Sequence, residues 1–173
     1  MIQKLPRSVL RELFKEKYMS ITLKRIGADE CEKLWKMQVE AFTELLEKYH
    51  DYDISPANEP MSRVMERFEQ SFTYYYFIMA GGAAVGAIRV VDMKDGSSKR
   101  VSPIFIMKEH RGKGYAQAAM REAEKLHGGE GWALDTILQE RGNCYLYEKM
   151  GYHQTGENHV INERMTIVNY EKN

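Results

Sequence analysis

A mixed α/β fold, one twisted sheet with helices on both faces, is predicted for this chain by three observations. Strand character at 104–107 passes through Arg111-Gly112-Lys113-Gly114 into an apolar stripe of helical spacing, Ala116, Ala119, Met120, Ala123 and Leu126, which Gly128-Gly129 ends. Trp132-Ala133-Leu134-Asp135-Thr136-Ile137 then reads as a buried strand, and a strand, turn, helix, strand order is a crossover that demands a parallel pair. Gly81-Gly82 separates two further strand-like runs as a two-residue hairpin turn.

In chain order, residues 1–18 form an N-terminal extension in which Val9, Leu10, Leu13 and Phe14 have the spacing of a short amphipathic helix, ahead of a single domain at 19–173. Residues 19–26 alternate as a first strand. Asp29 stands where it would cap the next helix, with Glu32 in the reciprocal box position, and Cys31, Leu34, Trp35, Ala41, Phe42 and Leu45 share one face of it. A polar connection at 49–60 ends in Pro60, suited to the first turn of a helix bearing Met61, Val64, Met65 and Phe68. Strands at 72–79 and 83–91 flank the hairpin turn, and Asp95-Gly96 marks the next reversal. After Gly151, residues 152–154 and 164–170 read as two closing strands around a polar turn at Gly156-Glu157-Asn158.

Composition narrows the function classes. Lys and Arg number 25, as do Asp and Glu, so the net charge of zero gives no electrostatic reason for nucleic-acid or anionic-membrane binding. Cys31 and Cys144 lack a C-x-x-C spacing and a metal-like cluster, which fits a reduced, cytoplasmic setting without a metal. No apolar run approaches the ~18 residues of a membrane span.

The turn at 111–116 carries the chemistry. A strand that ends in a glycine-spaced turn and enters a helix leaves backbone N–H groups without partners where the helix dipole is positive, so anionic oxygens are what it binds. Gly112 and Gly114 permit close backbone approach and left-handed dihedrals, and Arg111 and Lys113 add positive charge. A bare surface turn is the plain alternative for these four residues alone. The nucleotide loops Gly-x-x-x-x-Gly-Lys-Ser/Thr and Gly-x-Gly-x-x-Gly are both absent here.

Arg111, Gly114 and Ala116 meet the pattern Gln/Arg-x-x-Gly-x-Gly/Ala, and Leu146-Tyr147-Glu148-Lys149-Met150-Gly151-Tyr152 meets Leu-Tyr-Glu-Lys, apolar, Gly, Phe/Tyr. With both motifs at the expected separation, the chain resembles the GNAT (Gcn5-related) N-acetyltransferases over about residues 19–170. The resemblance implies a splayed parallel strand pair holding acyl-CoA, with the pyrophosphate on the backbone of Arg111, Gly112, Lys113, Gly114, Tyr115, Ala116 and Gln117. It implies pantetheine pairing with the main chain of Ile104, Phe105 and Ile106. The reaction implied is transfer of acetyl from acetyl-CoA to a primary amine of a small molecule or peptide by direct attack, and a homodimer is compatible with it.

In that family the Tyr matched by Tyr147 acts as general acid to the CoA thiolate; a buried aromatic anchoring a short helix is the bland alternative. Histone-type members carry a Glu on the fourth strand, but residues 101–107 hold no acid. Asp135 is the first candidate base, with a structural role as the alternative; Glu40 is second, though nearly opposite the apolar stripe of its helix, and solvent is a further acceptor. Many members have an Asn seven residues before the Tyr that bonds the pantetheine. That position is Glu140, whereas Asn143 lies four before, the better donor yet equally suited to capping a helix after Gly142. Cys144 and His110 read as a buried thiol and a loop residue. The acceptor would lie over 49–59 and 156–162, where Asp51, Asp53 and Glu59 are either cation receptors or a solvated acidic loop. A catalytically weak acyl-CoA-binding regulatory or interaction module is the alternative function.

Overall fold

The computed structural model describes residues 6–9 and 20–173. Most of the expected N-terminal extension, 1–18, lies outside the described residues; of those described, 7–9 are helical. The remaining elements are β1 (Ile21–Arg25), α1 (Cys31–Tyr49), α2 (Met61–Phe68), β2 (Thr73–Ala80), β3 (Ala83–Val91), β4 (Lys99–Ile106), α3 (Tyr115–His127), β5 (Trp132–Ile137), α4 (Arg141–Lys149), β6 (His153–Asn162) and β7 (Met165–Lys172). They form one mixed sheet in the order β1-β2-β3-β4-β5-β7-β6, with β4 and β5 its parallel pair.

Two cores cover the two faces of this sheet. Leu34 and Ala41 of α1 and Val64 of α2 pack with Tyr75, Phe77 and Phe105 on one. Ala119, Met120 and Ala123 of α3 and Cys144 and Tyr147 of α4 pack with Ile88, Trp132, Leu134 and Val168 on the other. The small residues of the α3 stripe, Ala119 and Ala123, let that helix lie close to the strands, and its end is set by Gly128 at φ 101°. No helix among the described residues is long and apolar enough to cross a membrane.

The structure departs from the sequence expectation at several joints. Asp29 does not cap α1: it sits in a 3-10 turn, Ala28–Glu30, and the cap position falls to Glu30 without a side-chain bond. Pro60 occupies the cap position of α2 rather than its first turn. Gly156-Glu157-Asn158 is a bulge within β6, because four steps from Thr155 to His159 face two from Asn169 to Ile167. Gly156 takes φ 67° there, and the chain reverses only after Asn162, whose Oδ1 accepts from the Arg164 N–H at 2.8 Å.

A second bulge shapes the centre of the sheet. Between Ile88↔Ile104 and Val90↔Val101, two steps of β3 face three of β4, so Ser102-Pro103 stands opposite Arg89. Arg89 Nη1 donates to the Ser102 carbonyl at 2.9 Å, and Pro103 has no N–H to continue a ladder. Parallel pairing of β4 with β5 accordingly stops at Val101↔Leu134, and the strands part beyond it.

At the far end of β4 and β5, His127 at the close of α3 is buried between Asp92 and Tyr76, its Nδ1 and Nε2 each 2.9 Å from their oxygens. Burial alone would raise the Asp92 carboxyl, but Lys94 and His127 outweigh it and hold the group at about 2. An unfolded Asp titrates near ~3.9. The folded value is the lower one, so this carboxylate stabilises the fold above about pH 4 and the contribution vanishes as pH falls through about 2, a term on the order of 2 kcal/mol. Asp92→Asn is expected to flatten the acid limb of stability in urea titrations; an unchanged limb would mean that Asp92 does not govern it.

Candidate active site

The parting of β4 and β5 opens a cavity of about 520 Å³. Its walls bring together Ile104 of β4, Asp135 and Thr136 of β5, Asn143 and Tyr147 of α4, and Asp51 and Ser55 of the α1–α2 connection. His159 and Asn169 of the last two strands complete it.

Backbone groups of β4 face this gap. Met107 donates to the Val85 carbonyl on β3 at 2.8 Å, so by alternation the N–H groups of Ile106 and Ile104 point away from β3, while Phe105 points its own toward it. Phe105 instead presents its ring to Phe42 of α1, edge to face at 5.7 Å. Among the three residues expected along the pantetheine, Ile104 and Ile106 thus carry the free amides.

Beyond β4, the turn predicted to cradle phosphate has the required geometry. Gly112 and Gly114 take φ 74° and 79°, and α3 starts from Gly114 without a side-chain cap. Ala118 donates back to the Gly114 carbonyl at 3.0 Å, but none of the N–H groups of 112–117 has a partner among the described residues. Six successive open donors at a helix N-terminus suit a diphosphate. Arg111 does something else: its Nε and Nη2 donate to the Ile106 and Ala41 carbonyls at 3.0 Å each, and Nη1 meets Glu44 at 3.1 Å. Its guanidinium ties the turn to β4 and α1. Lys113 is exposed, its Nζ 3.4 Å from the Glu109 carbonyl, and remains available as surface charge.

Tyr147 lines the cavity while 7% exposed, between Tyr152 and Tyr170 with ring centroids 6.1 Å from each. Its hydroxyl has no partner among the described residues, and burial pushes it up to about 12. The neighbouring tyrosines are spoken for: Tyr152 and Tyr170 donate to Glu124 and Glu148 at 3.1 and 2.9 Å, and Tyr145 is 67% exposed. The arrangement can keep a protonated phenol facing a cavity.

Asn143 lies inside the first turn of α4, not at its cap, and lines the cavity. Glu140, at the cap, accepts from Tyr49 and from Lys48 at 2.5 Å, and these partners hold its carboxyl low against the effect of burial. That carboxylate is therefore committed to joining α1 and α4. Asp135 is exposed at the cavity wall and is paired with Arg100. Glu40 is exposed on α1, outside the cavity.

The α1–α2 connection is held by groups that sequence patterning did not reveal. Buried Gln38 donates to the Pro56 carbonyl at 3.0 Å and to Glu59 at 2.9 Å, and Trp35 Nε1 donates to the Glu59 carbonyl at 2.8 Å. Glu59 also pairs with Arg67 at 2.5 Å, and Asp53 is exposed. Of the three acids in this connection, Asp51 alone reaches the cavity. It follows a left-handed His50, at φ 56°, a backbone setting that is invisible in a residue pattern.

The acetyltransferase (GNAT) family model matches residues 33–152. No curated protein matches the chain. Among solved structures, the spermidine N-acetyltransferase of Vibrio cholerae in complex with CoA and spermine superposes with TM-score 0.69 at 15% identity, over 87% of this chain and 94% of that one. An IAA acetyltransferase from Bacillus cereus gives 0.63 at 14%, over 88% and 99%, and an acetyltransferase from Thermus thermophilus 0.66 at 10%, over 90% and 98%.

Proposed function

The chain belongs to the GNAT acetyltransferase family, and from that premise we propose that it is an N-acetyltransferase that moves acetyl from acetyl-CoA to a primary amine. The observation that carries it is that Tyr147 lines the cavity opened by the parting of β4 and β5, while the open N–H groups of 112–117 follow the carboxyl end of β4. Bound acetyl-CoA supplies an activated thioester. The backbone of Arg111 to Gln117 holds its diphosphate, the free amides of Ile104 and Ile106 pair with the pantetheine beside Phe105, and Asn143 reaches it from α4.

Tyr147 donates its hydrogen bond to the departing sulfur as negative charge grows there. The amine, arriving as an ammonium, loses a proton before attack, and the acceptor is a carboxylate of the cavity, Asp135 or Asp51. Asp135 shares its charge with Arg100, which competes with the incoming cation.

A thiol-release assay across a panel of amines tests the activity. Release with at least one amine supports it, and acetyl-CoA binding without release from any would leave an acyl-CoA-binding module. The cradle has its own test. Gly114→Val places a branched side chain at φ 79°, so acetyl-CoA affinity measured by calorimetry should fall by tenfold or more, roughly the 1.4 kcal/mol or more of a misplaced backbone. Lys113→Ala, removing a screened charge, should cost about 1 kcal/mol or less. Full affinity in a folded Gly114→Val protein would remove the diphosphate from this turn.

A further inference from the structure

Resting on the acetyl-transfer reading, we propose that the acceptor is an amine with one cationic group on an apolar body, and that Asp51 receives the ammonium and takes its proton. Asp51 lines the cavity with 7% of its surface exposed, and its Oδ1 is buried without a hydrogen-bond partner among the described residues. The Ile54 and Ser55 N–H groups donate at 3.0 and 2.9 Å to its main-chain carbonyl rather than to the carboxylate, which has the residue's own N–H beside it. A buried carboxylate oxygen with no donor is a costly arrangement for a purely structural residue. An ammonium entering the cavity would supply the missing donor. Burial raises the Asp51 carboxyl above the usual range, which favours its accepting a proton once the cation has arrived.

The other walls of the cavity indicate what the rest of the substrate is. Phe42, Leu45, Ile54, Ile161 and Ile167 offer apolar surface, suited to an alkyl or aryl body. A second cation along the same molecule would find no second free carboxylate: Asp135, the other acid on the wall, is held by Arg100. A polyamine would leave its remaining charges against Ile and Phe, and an amino sugar its hydroxyls.

The step balances as follows. The ammonium passes one proton to Asp51, and the freed lone pair forms the C–N bond to the acetyl carbon as the C–S bond breaks. Tyr147 holds the departing sulfur by a hydrogen bond, and the sulfur takes the proton that the nitrogen sheds as the amide forms. The products are a neutral amide, free thiol and one proton on Asp51, which leaves to solvent.

The test uses the full chain with acetyl-CoA, comparing phenethylamine and isopentylamine with spermidine and glucosamine by thiol release. The apolar monoamines should lead in kcat/KM by about tenfold or more. Asp51→Asn, isosteric with the native residue, should lose about 10²–10⁴ in kcat/KM for phenethylamine while acetyl-CoA affinity by calorimetry is unchanged. Spermidine or glucosamine matching the monoamines, or a folded Asp51→Asn at the native rate, would overturn the proposal and leave acetyl transfer standing. Should Asp51→Asn fail to fold, the ranking of the four amines on the native chain decides alone. Failure of the native chain to bind acetyl-CoA would instead overturn the acetyl-transfer reading, and this inference with it.

Discussion

Tyr147→Phe is expected to lower turnover by about 10²–10⁴ while leaving the fold and acetyl-CoA affinity nearly unchanged. The ring fills its place between Tyr152 and Tyr170 in either protein, and the hydroxyl has no partner among the described residues, so its removal orphans none of them. With the phenol at about 12 and a thiol near ~8.5, complete proton transfer to a free thiolate is uphill. The phenol therefore works chiefly as a hydrogen-bond donor that strengthens as charge develops, which places the loss toward the ~10²–10³ of a missing oxyanion donor. Because that bond is made mainly in the transition state, kcat and kcat/KM should drop together. Single-turnover rates with a responsive amine isolate the chemistry from product release. Full chemical rate in Tyr147→Phe, with loss in Tyr145→Phe, would reassign the role to a residue that is 67% exposed.

Gly86→Ala should be the most damaging small substitution in the sheet. A Cβ at this β3 position would lie 2.1 Å from the Phe105 carbonyl oxygen and 3.0 Å from the Ile106 Cα, both backbone atoms that cannot rotate away. Relief requires β3 and β4 to separate where Gly86 pairs with Ile106, at the end of the strand that offers its amides to the gap. Overpacking of this kind costs about 3 kcal/mol or more. In a protein of this size that corresponds to a loss of roughly 6–12 °C in Tm, measured by thermal unfolding. Acetyl-CoA affinity should fall as well, since the Ile104 and Ile106 amides move with β4. A melting temperature within about 2 °C of the native one would show that the two strands can yield here at little cost.

The parts legible in the sequence were those governed by local rules. Gly112 and Gly114 are glycines because the backbone takes positive φ there, and the apolar stripe of α3 has the 3.6-residue period of a packed helix. Crossover logic predicted the parallel β4–β5 pair. Features that depend on distant partners left no pattern. Arg111 looks like a free cation until Ala41 and Glu44, on a helix about 70 residues earlier, are brought beside it. The motif leaves open whether Glu140 or Asn143 faces the groove, and the two are told apart only once Tyr49 claims the carboxylate and Asn143 lines the cavity. Gly156 satisfies equally the rule for a turn and the rule for a bulge, and only pairing with Asn169 and Ile167 distinguishes them. Asp51 looks no different from Asp53 in a polar stretch, yet one is buried and the other solvated.

The extra residue at Ser102-Pro103 makes the groove a matter of parity. Upstream of it, Lys99 donates to the Gly131 carbonyl on the β5 side; downstream, the count is odd by one, and Ile104 and Ile106 take over that orientation. Deleting either residue would leave two steps facing two, so the ladder would run regular while Ile104 and Ile106 kept their amides toward the gap and their side chains on their present faces. One codon removed here would take away the interruption just past the last β4–β5 pair, Val101↔Leu134, whereas the same deletion in the exposed turn at Asp95-Gly96 would merely shorten a loop. The opening of the groove therefore depends on an irregularity of the backbone, set by residues that perform no chemistry themselves.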